Sequence, residues 1–156
     1  MCIRDRFYGA DDFNGSLSLN TENVTNMRGM FAHAIHFNQD LEFDTRKVNN
    51  MSEMFHGAYS FNRPIHFITR NVTRMNSMFK SALSFNQPLE FETFEVTDMS
   101  WMFSQARSFM QPVQFYVSQN TDMTGMFWGP NYFNWTMYYR WLPNGANFDV
   151  MFTPQF

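Results

Sequence analysis

The residues of this chain that could perform chemistry are four carboxylates at repeated positions. Glu42 and Asp44 alternate along one segment, and Glu90 and Glu92 stand at the same two positions 48 residues later. If these segments are strands with one further strand between them, Glu42 and Glu90 would lie about 10 Å apart. That separation resembles the distance between the two carboxylates of an inverting glycosidase. A flat sheet face would expose them to water, so two other interpretations stay open: a mildly acidic binding strip and a hydrated face without a partner.

Histidine and cysteine offer no stronger candidate for catalysis. His33 and His36 are three residues apart, which could suit a metal ion, but no HExxH motif accompanies them. Cys2 is the only cysteine, so the sequence has neither a disulfide framework nor a thiolate cluster. Glycine-rich phosphate loops and the GxSxG motif are also absent from the sequence. We therefore predict that the protein is not an enzyme and has no cofactor and no metal site.

The chain repeats itself every 24 residues, and this period explains its unusual composition. Phe (20) and Met (14) together outnumber Leu, Ile and Val. The columns that keep the step are Phe13, Phe37, Phe61, Phe85, Phe109 and Phe133; Met30, Met54, Met78, Met102 and Met126; and Ala34, Ala58, Ala82 and Ala106. A fixed period of this length is the signature of a stacked repeat architecture.

Each repeat has two patterns of apolar residues. From Val48 to Phe61 the apolar residues recur at helical spacing, and Thr45 just ahead of them could cap the helix. After Phe61 the apolar residues share one parity, as in a strand, and Pro64 stands near the strand's start. We therefore predict an α/β repeat solenoid in which each 24-residue coil contains a short helix and a short parallel strand.

Stacked strands of this kind would present one inward and one outward set of side chains. The inward columns stay apolar while the outward positions vary, and solenoids commonly place recognition on such extended faces. The predicted interaction face consists of Glu42, Asp44, His66, Ile68, Glu90, Glu92, Gln114 and Tyr116. The Asn column, which includes Asn38 and Asn62, has two interpretations: a side chain that binds the backbone of the adjacent coil, or a hydrated turn residue.

Charge and hydropathy argue against several kinds of partner. The chain has 11 basic and 14 acidic residues and a net charge of −3, without a basic cluster. We therefore predict no nucleic-acid partner. No apolar run approaches the length that spans a bilayer, and no signal peptide is visible in the sequence.

The repeat register divides the chain into three segments. Residues 1–6 are interpreted as a non-native N-terminal scar or a short tail, because MCIRD has no counterpart in the repeats. Residues 7–152 are predicted to form one solenoid with a partial first coil, about five repeats and a degenerate last coil. In that last coil Asn120 replaces Val and Pro130 replaces Ala, and residues 153–156 form the C-terminal end. We expect a fragment of a longer array, whose uncapped ends could associate end to end.

The repeat unit resembles that of a known family. Residues 24–39 read V-T-x-M-x-x-M-F, then A, then F-N-Q, and the pattern recurs downstream. This unit is similar to the Met-Phe repeats of the BspA-like leucine-rich-repeat surface proteins, over about residues 7–152. The resemblance implies a leucine-rich-repeat-like solenoid, a location at the cell surface or outside the cell, and a role in adhesion or protein binding. It implies no catalytic residues.

We therefore predict a non-enzymatic surface or extracellular module for adhesion or protein interaction, whose partner is an unidentified protein or glycan. The alternative is a purely structural spacer within a large surface protein. Two remote alternatives are a hydrolase and an ice-binding protein, the latter based on a regular column of threonines. That column consists of Thr21, Thr45, Thr69 and Thr93. Helix capping explains the same column without an ice-binding surface.

Overall fold

The structure, a computed structural model, describes residues 2–118 and 120–129, in which successive 24-residue coils stack on one another. Parallel bridges connect each coil to the next at one recurring position. The bridged residues are Cys2, Asn26, Asn50, Arg74, Asp98 and Asp122. The predictions for Pro130, Phe133, the part of the degenerate last coil from residue 130 onward and residues 153–156 lie outside the described residues.

The predicted α/β fold is wrong. The described residues contain no helix and no strand, and their regular structure consists of turns and isolated bridges. The segment predicted as a helix is a series of turns closed by hydrogen bonds from residue i to residue i−3. Met54 N–H donates to the Met51 carbonyl at 3.3 Å, and His56 N–H donates to the Glu53 carbonyl at 3.1 Å. The leucine-rich-repeat-like solenoid of helix and strand is therefore replaced by stacked coils built largely from turns and loops.

Left-handed residues at two positions of each coil exclude a helix. Glu53 has a φ of 58° and Gly57 a φ of 67°, and each is the third residue of a turn, where type II geometry requires a positive φ. The equivalent residues are Asp5, Gly29, Ser77, Trp101 and Gly125, and Gly9, His33, Ser81, Gln105 and Gly129. A right-handed helix does not accommodate such residues. Consecutive turns bring a side chain inward every three or four residues, as a helix does, so apolar spacing does not distinguish the two.

The N–H groups between these turns hydrogen-bond to the next coil. Every second residue of the turn segment donates to a carbonyl of the following coil, and the four distances from the coil that begins at Met51 are 2.8–3.0 Å. Glu53 N–H, for example, donates to the Asn76 carbonyl at 2.9 Å. The backbone of the turn segment is thus paired both within its coil and with its neighbour.

Phenylalanine rings of the core form two continuous parallel stacks, and Phe43 and Phe67 of a third column also stack between coils. The centroids of Phe31 and Phe55 are 5.6 Å apart, and those of Phe37 and Phe61 are 5.9 Å apart. Within one coil the rings of Phe55 and Phe61 stack at 4.1 Å. These rings are fully buried, together with the Met and Ala columns beside them. The predicted register of like side chains on neighbouring coils is confirmed.

Asparagine side chains connect the coils where the sequence predicted a strand. Asn62 N–H donates to Asn38 Oδ1 at 3.0 Å, and Asn86 N–H donates to Asn62 Oδ1 at 2.9 Å. Asn14 accepts from Asn38 N–H in the same way, and Asn86 accepts from Met110 N–H. The interpretation that this column binds the backbone of the adjacent coil is confirmed.

Residues 2–6 lie in register with the coil that follows them. Ile3 is buried, and its N–H donates to the Asn26 carbonyl at 3.1 Å. Asp5 N–H donates to the Arg28 carbonyl at 2.9 Å. The origin of this segment as a scar or a tail stays a prediction, while its packing is that of a partial coil.

Replacing Asn62 by Ala tests the asparagine column. The Asn86 N–H would lose its acceptor in a half-buried position, so we expect the free energy of unfolding to fall by about 1–3 kcal/mol. The control is Asn49→Ala, because Asn49 is exposed and its side chain makes no hydrogen bond to a described residue; we expect a change below about 0.5 kcal/mol. Urea unfolding followed by circular dichroism measures both values. Equal effects of the two substitutions would contradict the structural role of Asn62.

Alanine substitutions at two glycines can distinguish the cost of backbone strain from the cost of steric overlap. Gly9 and Gly57 both have a left-handed φ, but a Cβ at Gly9 meets no atom within 4 Å, whereas one at Gly57 lies 2.7 Å from His33 Nδ1. We expect Gly9→Ala to destabilise the fold by about 1 kcal/mol through strain alone. Gly57→Ala must also displace the His33 ring, so its loss should be larger in the same unfolding experiment. A smaller loss at Gly57 than at Gly9 would show that the His33 ring does not lie against Gly57.

Candidate interaction face

The predicted interaction face is exposed on the surface of the stack. Side chains alternate between core and solvent along residues 41–45, 65–69, 89–93 and 113–117. In the second of these segments Ile65 and Phe67 are buried, whereas His66 and Ile68 are exposed. Of the eight predicted residues, Asp44 is half-buried and the other seven are exposed: Glu42, His66, Ile68, Glu90, Glu92, Gln114 and Tyr116. Alternate side chains of these segments therefore point outward as predicted, although the segments are not strands.

Buried threonines position the backbone of this face. Thr69 Oγ1 donates to the Glu92 carbonyl at 3.0 Å, and Thr93 Oγ1 donates to the Tyr116 carbonyl at 2.8 Å. Thr45 Oγ1 likewise donates to the Ile68 carbonyl at 3.0 Å. The prediction that this column caps helices is wrong, because no helix follows it. The hydroxyls of Thr45, Thr69 and Thr93 instead connect their coils to the next one, whereas the buried Thr21 Oγ1 has no hydrogen-bond partner among the described residues. The column supports the face from below and does not form an exposed hydroxyl array.

A groove lies on the face between two neighbouring coils. Its volume is about 430 Å³. The groove is lined by Pro64, Ile65, His66, Phe67, Gln87, Pro88 and Glu90. His66 and Glu90 belong to the predicted set, and the two prolines form its apolar walls. The arrangement can accommodate an extended segment of a partner, with one imidazole and one carboxylate available for hydrogen bonds.

The carboxylates of the face differ in their electrostatic state. Asp44 accepts from Arg46 in an ion pair of 2.6 Å, and the hydrogen bonds from the Arg46 side chain and backbone lower the pKa of Asp44 to about 2. Glu42, Glu90 and Glu92 form no ion pair with any residue of the described ranges. In the predicted acidic strip, Arg46 therefore neutralises the charge of Asp44. The negative charges without an ion-pair partner among the described residues are those of Glu42, Glu90 and Glu92.

The sequence interpretation missed an exposed aromatic residue beside the face. Phe94 is 63% exposed, and its ring stacks on Tyr116 with a centroid distance of 4.3 Å. Earlier coils have Arg46 and Arg70 at the position of Phe94. This change from basic to aromatic within a column is the signal that could have identified it.

The histidines are arranged differently from their spacing in the sequence. His33 lies beside His56 of the next coil, with ring centroids 4.7 Å apart, whereas His36 is exposed. Among the described residues no group of three or more His, Cys, Asp or Glu side chains could hold a metal ion. Burial, and next the neighbouring His33 and Lys80, lower the pKa of His56, while Glu53 opposes this shift.

Comparison with known proteins places the chain in a repeat family. The family described as "Mycoplasma protein of unknown function, DUF285" matches residues 1–67 and 42–141. The chain belongs to this family. No curated protein and no solved structure matches the chain. Membership of the DUF285 family agrees with the 24-residue repeat and assigns no activity.

The described part of this DUF285 protein contains no helix that is long and apolar enough to cross a membrane.

Acid should destabilise the protein through His56. A histidine whose pKa is lowered in the folded state binds fewer protons than the unfolded chain, so stability falls as pH drops through the unfolded value of about 6.5. We expect the urea midpoint to decrease between pH 7.5 and 5.5, and to decrease less in His56→Gln. The matched control is His66→Gln, since His66 is exposed. An equal pH dependence of His56→Gln and the unmodified protein would refute the role of His56.

Proposed function

We propose that this DUF285 protein is a non-enzymatic interaction or adhesion module that acts at the cell surface or outside the cell. The observation that carries the proposal is the contrast between the two sides of the alternating segments. Phe43, Phe67 and Phe91 are buried in register, whereas the exposed positions between them change chemistry from coil to coil. The resemblance to BspA-like repeats supports the surface location.

The face suits recognition of a macromolecule better than turnover of a small substrate. The groove at His66 and Glu90 lies on an exposed face and is only partly enclosed, whereas small-molecule sites usually enclose most of their ligand. Variable exposed side chains over a fixed backbone are the arrangement by which stacked repeats bind extended partners. A protein or a glycan is the class of partner we propose for this surface.

The proposal is tested by charge reversal on the face. The double variant Glu42→Lys/Glu90→Lys changes two exposed, unpaired carboxylates, and the matched control Asp12→Lys/Glu22→Lys makes the same change in net charge at exposed positions outside the predicted face. Both variants should retain the thermal midpoint of the unmodified protein. An array of extracellular-matrix proteins and cell-surface glycans should show binding that the face variant loses by at least about tenfold, or about 1.4 kcal/mol.

Two outcomes of the array experiment would contradict the proposal. Equal loss in the face variant and the control variant would mean that net charge, rather than this surface, determines binding. Absence of binding by the unmodified protein across the array would favour a structural spacer.

A further inference from the structure

Phe94 and Tyr116 form a stacked aromatic pair on the surface of the described residues. Phe94 is 63% exposed and Tyr116 is 54% exposed. Their centroids are 4.3 Å apart with an angle of 21° between the ring planes. Every Phe–Phe stack of the core is by contrast made with buried or partly buried rings. Aromatic side chains are enriched at the centres of protein interfaces, so this pair indicates a contact surface.

The backbone beneath the pair is fixed before a partner binds. Thr93 is fully buried, directly precedes Phe94, and donates through Oγ1 to the Tyr116 carbonyl at 2.8 Å. One hydroxyl therefore holds the two coils at the point where the rings project. A surface that is ordered in advance loses less conformational entropy on binding.

The charge beside the pair identifies the kind of partner. Glu90, Glu92 and Glu95 lie on the same coil as Phe94, all three are exposed, and none forms an ion pair with a described residue. Within residues 2–118 and 120–129, the basic residue at the position of Phe94 one coil earlier is Arg70. Within the described ranges the cation–π contact is Lys80 over Trp101 at 5.2 Å, so no cation of the described residues lies over either ring of the exposed pair.

We propose that the Phe94–Tyr116 pair, with Glu92 and Glu95, is a docking site for arginine side chains of a basic peptide segment in a protein partner. The planar guanidinium stacks on an aromatic face, and its N–H groups donate to the adjacent carboxylates. A neutral sugar could also stack on the rings, but it would leave three carboxylates without a counter-charge. The inference deepens the proposed interaction function and names the chemistry of its partner.

Binding of a fluorescein-labelled tetra-arginine peptide, followed by fluorescence anisotropy at low salt, tests the site. Phe94→Ala and Tyr116→Ala should each raise the Kd by about threefold, the range of an exposed cation–π contact. Glu92→Gln/Glu95→Gln should weaken binding and reduce its dependence on salt. Arg70→Gln should strengthen binding, because it removes a like charge near the rings.

Matched controls separate the site from general effects. Tyr59→Ala removes another exposed aromatic ring, which is 42% exposed, and Glu22→Gln removes another exposed carboxylate; neither should change the Kd. A tetra-citrulline peptide keeps the shape of arginine without its charge and should not bind. Phe94→Tyr and Tyr116→Phe keep both rings and should retain binding, which guards against a trivial folding defect.

Three results would overturn the inference: an unchanged Kd in Phe94→Ala and Tyr116→Ala, equal affinity for the citrulline peptide, or binding of a neutral oligosaccharide that is lost in Phe94→Ala. These results are distinct from failure of the proposed function. Loss of the arginine site with array binding that still depends on Glu42 and Glu90 would leave the interaction function standing. Peptide binding at the pair without any array binding would leave the site standing and remove the broader proposal.

Discussion

The structure depends on backbone N–H groups that serve two purposes: some donate to the next coil, and others close turns within their own coil. In the coil that begins at Met51, the N–H groups of Met51, Glu53, Phe55 and Gly57 cross to the next coil, while those of Met54, His56 and Ala58 close turns. Buried amides must be paired, so the turn segment can be buried only while both sets of bonds are made. The crossing bonds require a constant step between coils. That requirement explains why the 24-residue period persists through the described residues.

Side chains of the Asn and Thr columns form hydrogen bonds with backbone groups that do not pair with other backbone groups. Asn62 accepts from the Asn86 N–H at one end of the alternating segment, and Thr69 donates to the Glu92 carbonyl at the other. One phenylalanine stack directly precedes the Asn column in the chain, with the centroids of Phe61 and Phe85 5.9 Å apart. Flat rings on successive coils can remain in contact at that spacing while the backbones lie too irregularly for a sheet. The alternating segments are therefore held in place without strand pairing, and their outward side chains take no part in it.

The sequence predicted the side chains that repeat every 24 residues, the alternation of buried and exposed positions, and the exposure of the face. It did not predict the secondary structure. Apolar residues from Val48 to Phe61 recur at a spacing shared by a helix and by consecutive turns, so the pattern could not separate them. Glycine carried the missing information: Gly9, Gly57 and Gly129 share one column, and all three have a positive φ. The other left-handed column contains Gly29 and Gly125, but Glu53 and Trp101 in the same column concealed it, because non-glycine residues are uncommon in that conformation. Phe94 was overlooked because it is not one of the alternating outward positions; it stands one residue after the buried Thr93 and stacks on the next coil.

Because the turn segment and the buried columns hold the fold together, function can reside in exposed side chains that contribute little to folding. Hydrogen bonds between coils come from the turn segment, the Asn column and the Thr column, and apolar burial comes from the Phe and Met columns. An exposed position such as Glu90 or Tyr116 is thus free to change without loss of any of these contacts. Arg46 and Phe94 illustrate the consequence, since equivalent positions two coils apart carry an ion-paired cation in one case and an exposed aromatic ring in the other. A stack of this kind can alter its surface chemistry one coil at a time, which is the property that an interaction module requires and a uniform spacer does not.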